Sequence, residues 1–179
     1  MTALELAVRS RSNLELLYRS AILEDAPKAR RDRRVRLTAN VQLDGIHRAL
    51  SVDPDELFGL RFLNTEEETY FMFERDRGEM PIERHRNIHQ THFAKKMAIY
   101  LAANRQGIHT RELGIPHFRV VTVTTTPARV EQMIDSLARL TEGRGSNMLL
   151  FGDQESLKGK SPLDFGWISG KGELLRITD

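Results

Sequence analysis

Tyr70-Phe71-Met72-Phe73-Glu74-Arg75-Asp76-Arg77-Gly78-Glu79 is an apolar run that breaks off into alternating acids and arginines. The run predicts a buried strand. Side chains alternate faces along a strand, so Glu74 and Asp76 are expected on the same face. Acids crowded at the mouth of a core strand repel one another. A fold tolerates them when a cation, a basic partner or a proton offsets the charge. The stretch alone leaves open whether the strand end simply meets water, with Arg75 and Arg77 neutralising the acids, or whether the acids form a site.

Upstream, Leu57-Phe58-Gly59-Leu60-Arg61-Phe62-Leu63 predicts the preceding strand, entered through Asp53-Pro54-Asp55-Glu56. Asn64-Thr65-Glu66-Glu67-Glu68 reads as a polar loop between the two strands. In an antiparallel pair the start of one strand lies beside the end of the next. Asp55 is therefore expected close to Glu74 and Asp76, so that acids converge at one edge of a sheet. Val35, Leu37, Ala39, Val41 and Leu43 alternate and predict an earlier strand, completing a meander. Asp44-Gly45 is a turn signal, but it need not close a two-residue hairpin, because the next apolar run starts near Ala49-Leu50. From Leu4 to Leu23 apolar residues recur at helical spacing, predicting a helix with a break near Asn13.

Between that helix and the first strand lies the densest charge in the chain, Lys28-Ala29-Arg30-Arg31-Asp32-Arg33-Arg34-Val35-Arg36. So many like charges predict a loop or a fraying helix end. The segment is either a solvated loop or a phosphate contact that works by displacing counterions.

Downstream, Pro81 is expected to open a helix running to about Asn104, with Phe93, Met97, Tyr100 and Leu101 as its apolar stripe. His85, His89, His92 and Lys96 form a second stripe beside it. Imidazoles on one straight helix rarely close a metal's coordination shell, so a polar face that meets phosphate or shields the acids is the better reading. Lys96 is either a site residue or a lysine snorkelling at the helix border. A loop is expected from Gly107 to Pro116, then a strand over Phe118–Thr124. A helix capped by Thr126 with Pro127 at its first position follows, then a short strand Met148–Phe151 and a closing hairpin around Gly170-Lys171-Gly172.

The chain has 179 residues, which suits one domain with a real core. It has no cysteine, which excludes disulfides and thiolate metal sites and makes a reducing compartment the natural expectation. No apolar run reaches membrane-spanning length and no signal-peptide pattern opens the chain, so a cytoplasmic protein without a membrane partner is expected. Net charge is only +2, so the footprint for a polyanion lies in the clustering of basic residues rather than in their sum.

The order helix, three strands, helix, strand, helix, strand, with Pro54-Asp55 opening one strand and Glu74-Arg75-Asp76 closing the next, resembles the restriction-endonuclease-like core of the PD-(D/E)xK superfamily. More specifically, the chain resembles the replication-relaxation family of plasmid and mobile-element replication and mobilisation. The residues that carry this are Pro54-Asp55 with Leu57-Phe58, Phe73 to Glu79 with Pro81, Lys96-Met97 with Tyr100, Val120 to Thr125, and Pro162-Leu163 through Trp167. The resemblance spans roughly residues 50–170. It implies an α/β (α+β) fold with a central mixed sheet of about five strands flanked by helices. The family commonly carries a winged-helix DNA-binding region ahead of this core. The chain opens on the core's first helix, so a single domain over 1–179 without that region is expected.

The resemblance also implies a site. Asp55, Glu74 and Asp76 would hold Mg²⁺, and Asp55, Glu74, Asp76 and Lys96 would form a DNA endonuclease or nickase centre. The superfamily's motif lysine is Asp76 here; in some members the lysine has moved to the following helix, and by that resemblance Lys96 would take its role. Lys28, Arg30, Arg31, Arg33, Arg34, Arg36 and Arg77 would grip DNA. The partners implied are DNA and the proteins of a replication or mobilisation complex. Three functions are weighed: a metal-dependent DNA-processing enzyme, a DNA- or partner-binding module of the same fold that does not cleave, and an assembly subunit whose acids pair with Arg75 and Arg77.

Overall fold

The structure, a computed structural model, describes residues 2–27, 35–43, 46–79, 81–82 and 93–179. In chain order its elements are α1 (Thr2–Arg9), β1 (Leu14–Tyr18), α2 (Arg19–Glu24), β2 (Leu37–Leu43), β3 (Ile46–Val52), β4 (Glu56–Phe62) and β5 (Glu67–Arg75). They continue with α3 (Phe93–Arg105), α4 (Ile108–Leu113), β6 (Arg119–Thr124), α5 (Pro127–Leu140), β7 (Leu149–Asp153), α6 (Gln154–Leu157), β8 (Trp167–Ser169) and β9 (Leu174–Leu175).

Strands β1-β4-β5-β6-β7-β8-β9 form one mixed sheet in that spatial order. Its strand count is seven, which corrects the expectation of about five. β1, β4 and β5 run antiparallel, whereas β5, β6 and β7 run parallel. Parallel neighbours need a crossover, and here the crossovers contain α3 and α4, then α5. Both pack on one face of the sheet, where Leu57, Met72, Val120, Met97, Met133 and Leu137 share a core cluster. The opposite face carries a second cluster, including Phe58, Leu60, Phe71, Val121, Leu150 and Trp167. Leu57 pairs with Met72 and Phe58 with Phe71, so the pleat sorts successive residues of β4 and β5 between the two clusters.

Three expectations change. The helix expected over Leu4–Leu23 is broken by β1, which pairs with β4 from Leu14↔Phe62 to Tyr18↔Phe58. A sheet edge in need of a partner overrides the helical spacing of the leucines. The expected meander also dissolves, because β2 pairs with β3 in a separate two-stranded sheet. Its register pairs Leu43 with Ile46, so the strands are joined by residues 44–45 alone, and that turn lies outside the described residues. Arg48 interrupts the alternation of Ile46, Leu50 and Val52, which hides the strand in the sequence. The loop expected from Gly107 to Pro116 contains α4, bracketed by Gly107 and Gly114, both in the left-handed region.

The β2–β3 hairpin explains why α3 is buried nearly all round. Leu37, Ala39 and Val41 of β2 share the core cluster with Ala94, Ala98, Ala102 and Ala103 of α3. α3 is therefore held between the main sheet and the hairpin, and its alanines allow close approach. The Gln106 side chain, one residue past the helix, accepts from the Asn40 backbone N–H at 3.0 Å and donates to the Asn40 carbonyl at 2.7 Å. This helix is expected to open at Pro81, but Pro81 and Ile82 are not helical and α3 is described from Phe93; residues 83–92, with His85, His89 and His92, lie outside the described residues.

α5 begins as its sequence predicts, with the Thr126 hydroxyl accepting from the Arg129 N–H and Pro127 in the first turn. The end of β8 packs against it so closely that a Cβ on Gly170 would lie 2.2 Å from Leu137 Cδ2 and 2.7 Å from the Ser146 carbonyl oxygen. Gly170→Ala should therefore destabilise the protein by ~1–3 kcal/mol, read by urea unfolding. Gly159→Ala, whose Cβ would meet nothing within 4 Å, bears only the strain of its left-handed backbone and should cost less.

Candidate functional site

Glu74 leaves β5 on the face that carries α3. Its side chain is 1% exposed. A carboxylate so buried needs partners, and α3 supplies both. Lys96 Nζ lies 2.6 Å from Glu74 Oε2. The Tyr100 hydroxyl, one helical turn on, donates to Glu74 Oε1 at 2.5 Å. Lys96 and Tyr100 are four residues apart, which places them on one face of the helix.

Asp55 joins this group from β4. The register pairs Glu56 with Phe73, and the Asp55 N–H donates to the Phe73 carbonyl at 3.0 Å, so Asp55 stands beside Glu74. Its Oδ2 accepts from the backbone N–H of Arg75 at 2.7 Å, which fixes the carboxylate across the end of β5. Asp55 is exposed, unlike Glu74. It lines an open cleft together with Glu56, Phe73, Arg75 and Arg77.

Electrostatics follow from this placement. Burial pushes the Glu74 pKa above the ordinary carboxylate value, and the nearby Asp55 charge adds to it. Lys96 and Tyr100 pull in the other direction without cancelling the effect of burial. Burial also drives the Tyr100 phenol well above its usual pKa, reinforced by Glu74, so Tyr100 remains a donor. Thr122 is the register partner of Glu74 on β6, and its buried hydroxyl makes no hydrogen bond within the protein.

Asp76 goes elsewhere. Its Oδ2 accepts from Thr124 Oγ1 at 2.6 Å and from Arg129 Nε, and its Oδ1 accepts from Arg129 Nη2 at 2.9 Å. Burial opposes its ionisation, but the Arg129 and Thr124 hydrogen bonds outweigh that and hold its pKa below the ordinary value. Asp76 therefore fastens the end of β5 to α5, with both oxygens engaged. The structure separates it from the set of Asp55 and Glu74 in which it was expected.

Of the expected basic contacts, Arg77 lines the cleft of Asp55, whereas Arg36 is held in a two-pronged bond to Asp53, both prongs at 2.7 Å. Lys28, Arg30, Arg31, Arg33 and Arg34 lie outside the described residues. Arg75 and Arg77 do not neutralise the buried acids; Lys96 and Arg129 do.

Tyr100 and Arg129 were not singled out as functional from composition or spacing. Tyr100 reads as part of an apolar stripe, although its four-residue spacing from Lys96 was a usable signal. Arg129 carries no such signal, since its partner is 53 residues away.

Asp55 and Glu74 offer hard oxygen donors at adjacent register positions. Among the described residues, no group of three or more His, Cys, Asp or Glu side chains gathers as a metal cage. Such a sparse set fits Mg²⁺, which keeps several waters and is held by one or two carboxylates plus substrate phosphate, and it does not fit an all-protein zinc or calcium site.

The opposite pKa shifts of Glu74 and Asp76 predict opposite pH behaviour. Asp76 is stabilising when ionised, so Asp76→Asn should lose ~3 kcal/mol at neutral pH, and the loss should vanish as pH falls through the depressed pKa. Burial raises the Glu74 pKa, so wild-type stability relative to Glu74→Gln should fall as pH rises through that raised pKa. Urea unfolding of wild type and both variants across the acid-to-neutral range reads both slopes.

No protein-family model matches the chain, and no curated protein or solved structure matches it either.

Proposed function

We propose that the chain is a DNA-processing protein of a plasmid or mobile element, acting in replication or mobilisation, with a Mg²⁺-dependent phosphodiester-cleaving site at Asp55, Glu74 and Lys96. The proposal includes the restriction-endonuclease-like core and the replication-relaxation family that the sequence resembles. The observation that carries it is the Lys96 ammonium, delivered by α3 to within 2.6 Å of Glu74, whose strand neighbour is Asp55. An acid at the start of one strand, an acid at the end of the next and a lysine from the following helix make a compact set of oxygen donors and a cation.

Each residue has a distinct part. Asp55, exposed, and Glu74, its buried strand neighbour, would hold the metal, which would supply Lewis acidity toward a phosphoryl oxygen and the attacking water. Lys96 stabilises negative charge that grows on the phosphoryl oxygens as water adds to phosphorus and the ester P–O bond breaks. Tyr100 holds the second oxygen of Glu74 and so orients the carboxylate. Arg75 and Arg77 line the cleft with Asp55, where guanidinium groups can engage backbone phosphates without reading sequence. Asp76 has no part in the chemistry and anchors the strand end.

A second reading has its own support. Both Glu74 oxygens already accept hydrogen bonds from within the protein, and burial disfavours the ionised carboxylate a metal requires. This favours a DNA- or partner-binding module that keeps the fold and does not cleave.

Calorimetry with Mg²⁺ or Mn²⁺ on wild type, Glu74→Ala and Lys96→Met, followed by nicking of supercoiled plasmid, separates the readings. Cleavage predicts metal binding that disappears in Glu74→Ala, and a Lys96→Met protein that binds metal but nicks ~100-fold more slowly. Absence of metal binding at millimolar concentration contradicts cleavage and leaves the binding module.

A further inference from the structure

The sheet face opposite Glu74 is covered by shorter pieces of chain: α1, α6, the segment leading to β8, and the C-terminal residues around Ile177. These pieces do not meet over the middle of β5 and β6. Phe73 and Val123 are only half-buried there, although they sit on central strands. A cavity of about 250 Å³ remains between them, Phe58, Val121, Trp167 and Ile177.

The lining is almost wholly apolar. The polar atom of the indole is already used, since Trp167 Nε1 donates to the Pro162 carbonyl at 3.1 Å. Trp167 therefore presents ring surface rather than a donor. The charged group on the wall is Lys160. Its ammonium is held 5.6 Å from the centroid of the Phe165 ring, a cation–π contact that keeps it near the cavity. Lys160 is exposed, and among the described residues no carboxylate pairs with it. An apolar cavity with a small number of placed polar groups is the ordinary form of a small-molecule site. An apolar cavity of roughly 150 Å³ holds benzene, so this one admits a larger body.

We infer that this cavity binds a small amphiphilic carboxylate of the medium-chain fatty-acid class, its chain between Phe73 and Trp167 and its carboxylate on Lys160. The chemistry on the page selects that class: apolar walls exclude a sugar or a nucleotide phosphate, and a lone cation at the rim favours one anionic end over a neutral head. The site lies on the other face of the sheet from Glu74, so its occupancy is independent of metal binding.

Trp167 is the chain's single tryptophan, so its fluorescence reports the cavity directly. Titration with decanoate, below its micelle concentration, should give a saturable change in emission. Lys160→Gln should weaken decanoate by about fivefold, the upper range for an exposed ion pair, and leave neutral decanol unchanged. Val123→Phe, which fills the cavity, should weaken both ligands, with circular dichroism showing that the fold is kept. The inference is overturned by an unsaturable response in wild type, or by equal decanoate affinity in Lys160→Gln. Unchanged binding in a folded Val123→Phe protein overturns it as well. Because Lys160 is a surface residue, its variant decides the matter even where Val123→Phe does not fold.

Discussion

Glu74 carries a carboxylate to a depth where water does not reach it, and an unpaired charge there costs several kcal/mol. The fold answers with the Lys96 ammonium and the Tyr100 hydroxyl, and both come from one face of α3. That helix must therefore sit directly over the end of β5. It does so because its alanines let the sheet and the β2–β3 hairpin close on it from two sides. The same strand end makes a second tie, from Asp76 to Arg129 of α5. α3 and α5 are thus each pinned to the end of β5 by an ion pair, and the two carboxylates shift in opposite directions. The Arg129 and Thr124 hydrogen bonds lower the Asp76 pKa, whereas burial raises that of Glu74.

Much of this could be read from residues. The apolar run Tyr70–Phe73 predicted the strand, and the antiparallel register that follows from it placed Asp55 beside Glu74. Thr126-Pro127 marked the start of α5, and the helical spacing around Lys96 marked α3. The failures have physical causes. β1 looks helical because Leu14 and Leu17 stand three residues apart; in the strand they face opposite sides and enter the two different core clusters, and the open edge of β4 decides between the two conformations. β3 is hard to read because Arg48 breaks its alternating pattern, although Val52 joins the core and Leu50 packs against it. Asp76 was grouped with the other acids because alternation places it on their face. Its distant partner, Arg129, leaves no trace in local sequence.

The sheet divides the molecule into two regions of different chemistry. On the α3 side, Glu74 and Asp76 are deeply placed and each is paired with a cation, which gives each charge high leverage in a low-dielectric setting. On the other side, thin cover from α1 and the C-terminal segments leaves apolar strand surface at Phe73 and Val123 only half-buried. Phe73 lies on this second face and lines both the cleft of Asp55 and the apolar cavity.

The account turns on Asp55 and Glu74 acting together while Asp76 stays with Arg129. The most direct measurement is anomalous diffraction from crystals grown with Mn²⁺. One strong peak beside the Asp55 and Glu74 carboxylates, with the Asp76–Arg129 pair intact, is the expected result. A peak on Asp76, or well-ordered crystals in which Lys96 still closes Glu74 and no peak appears, would contradict it.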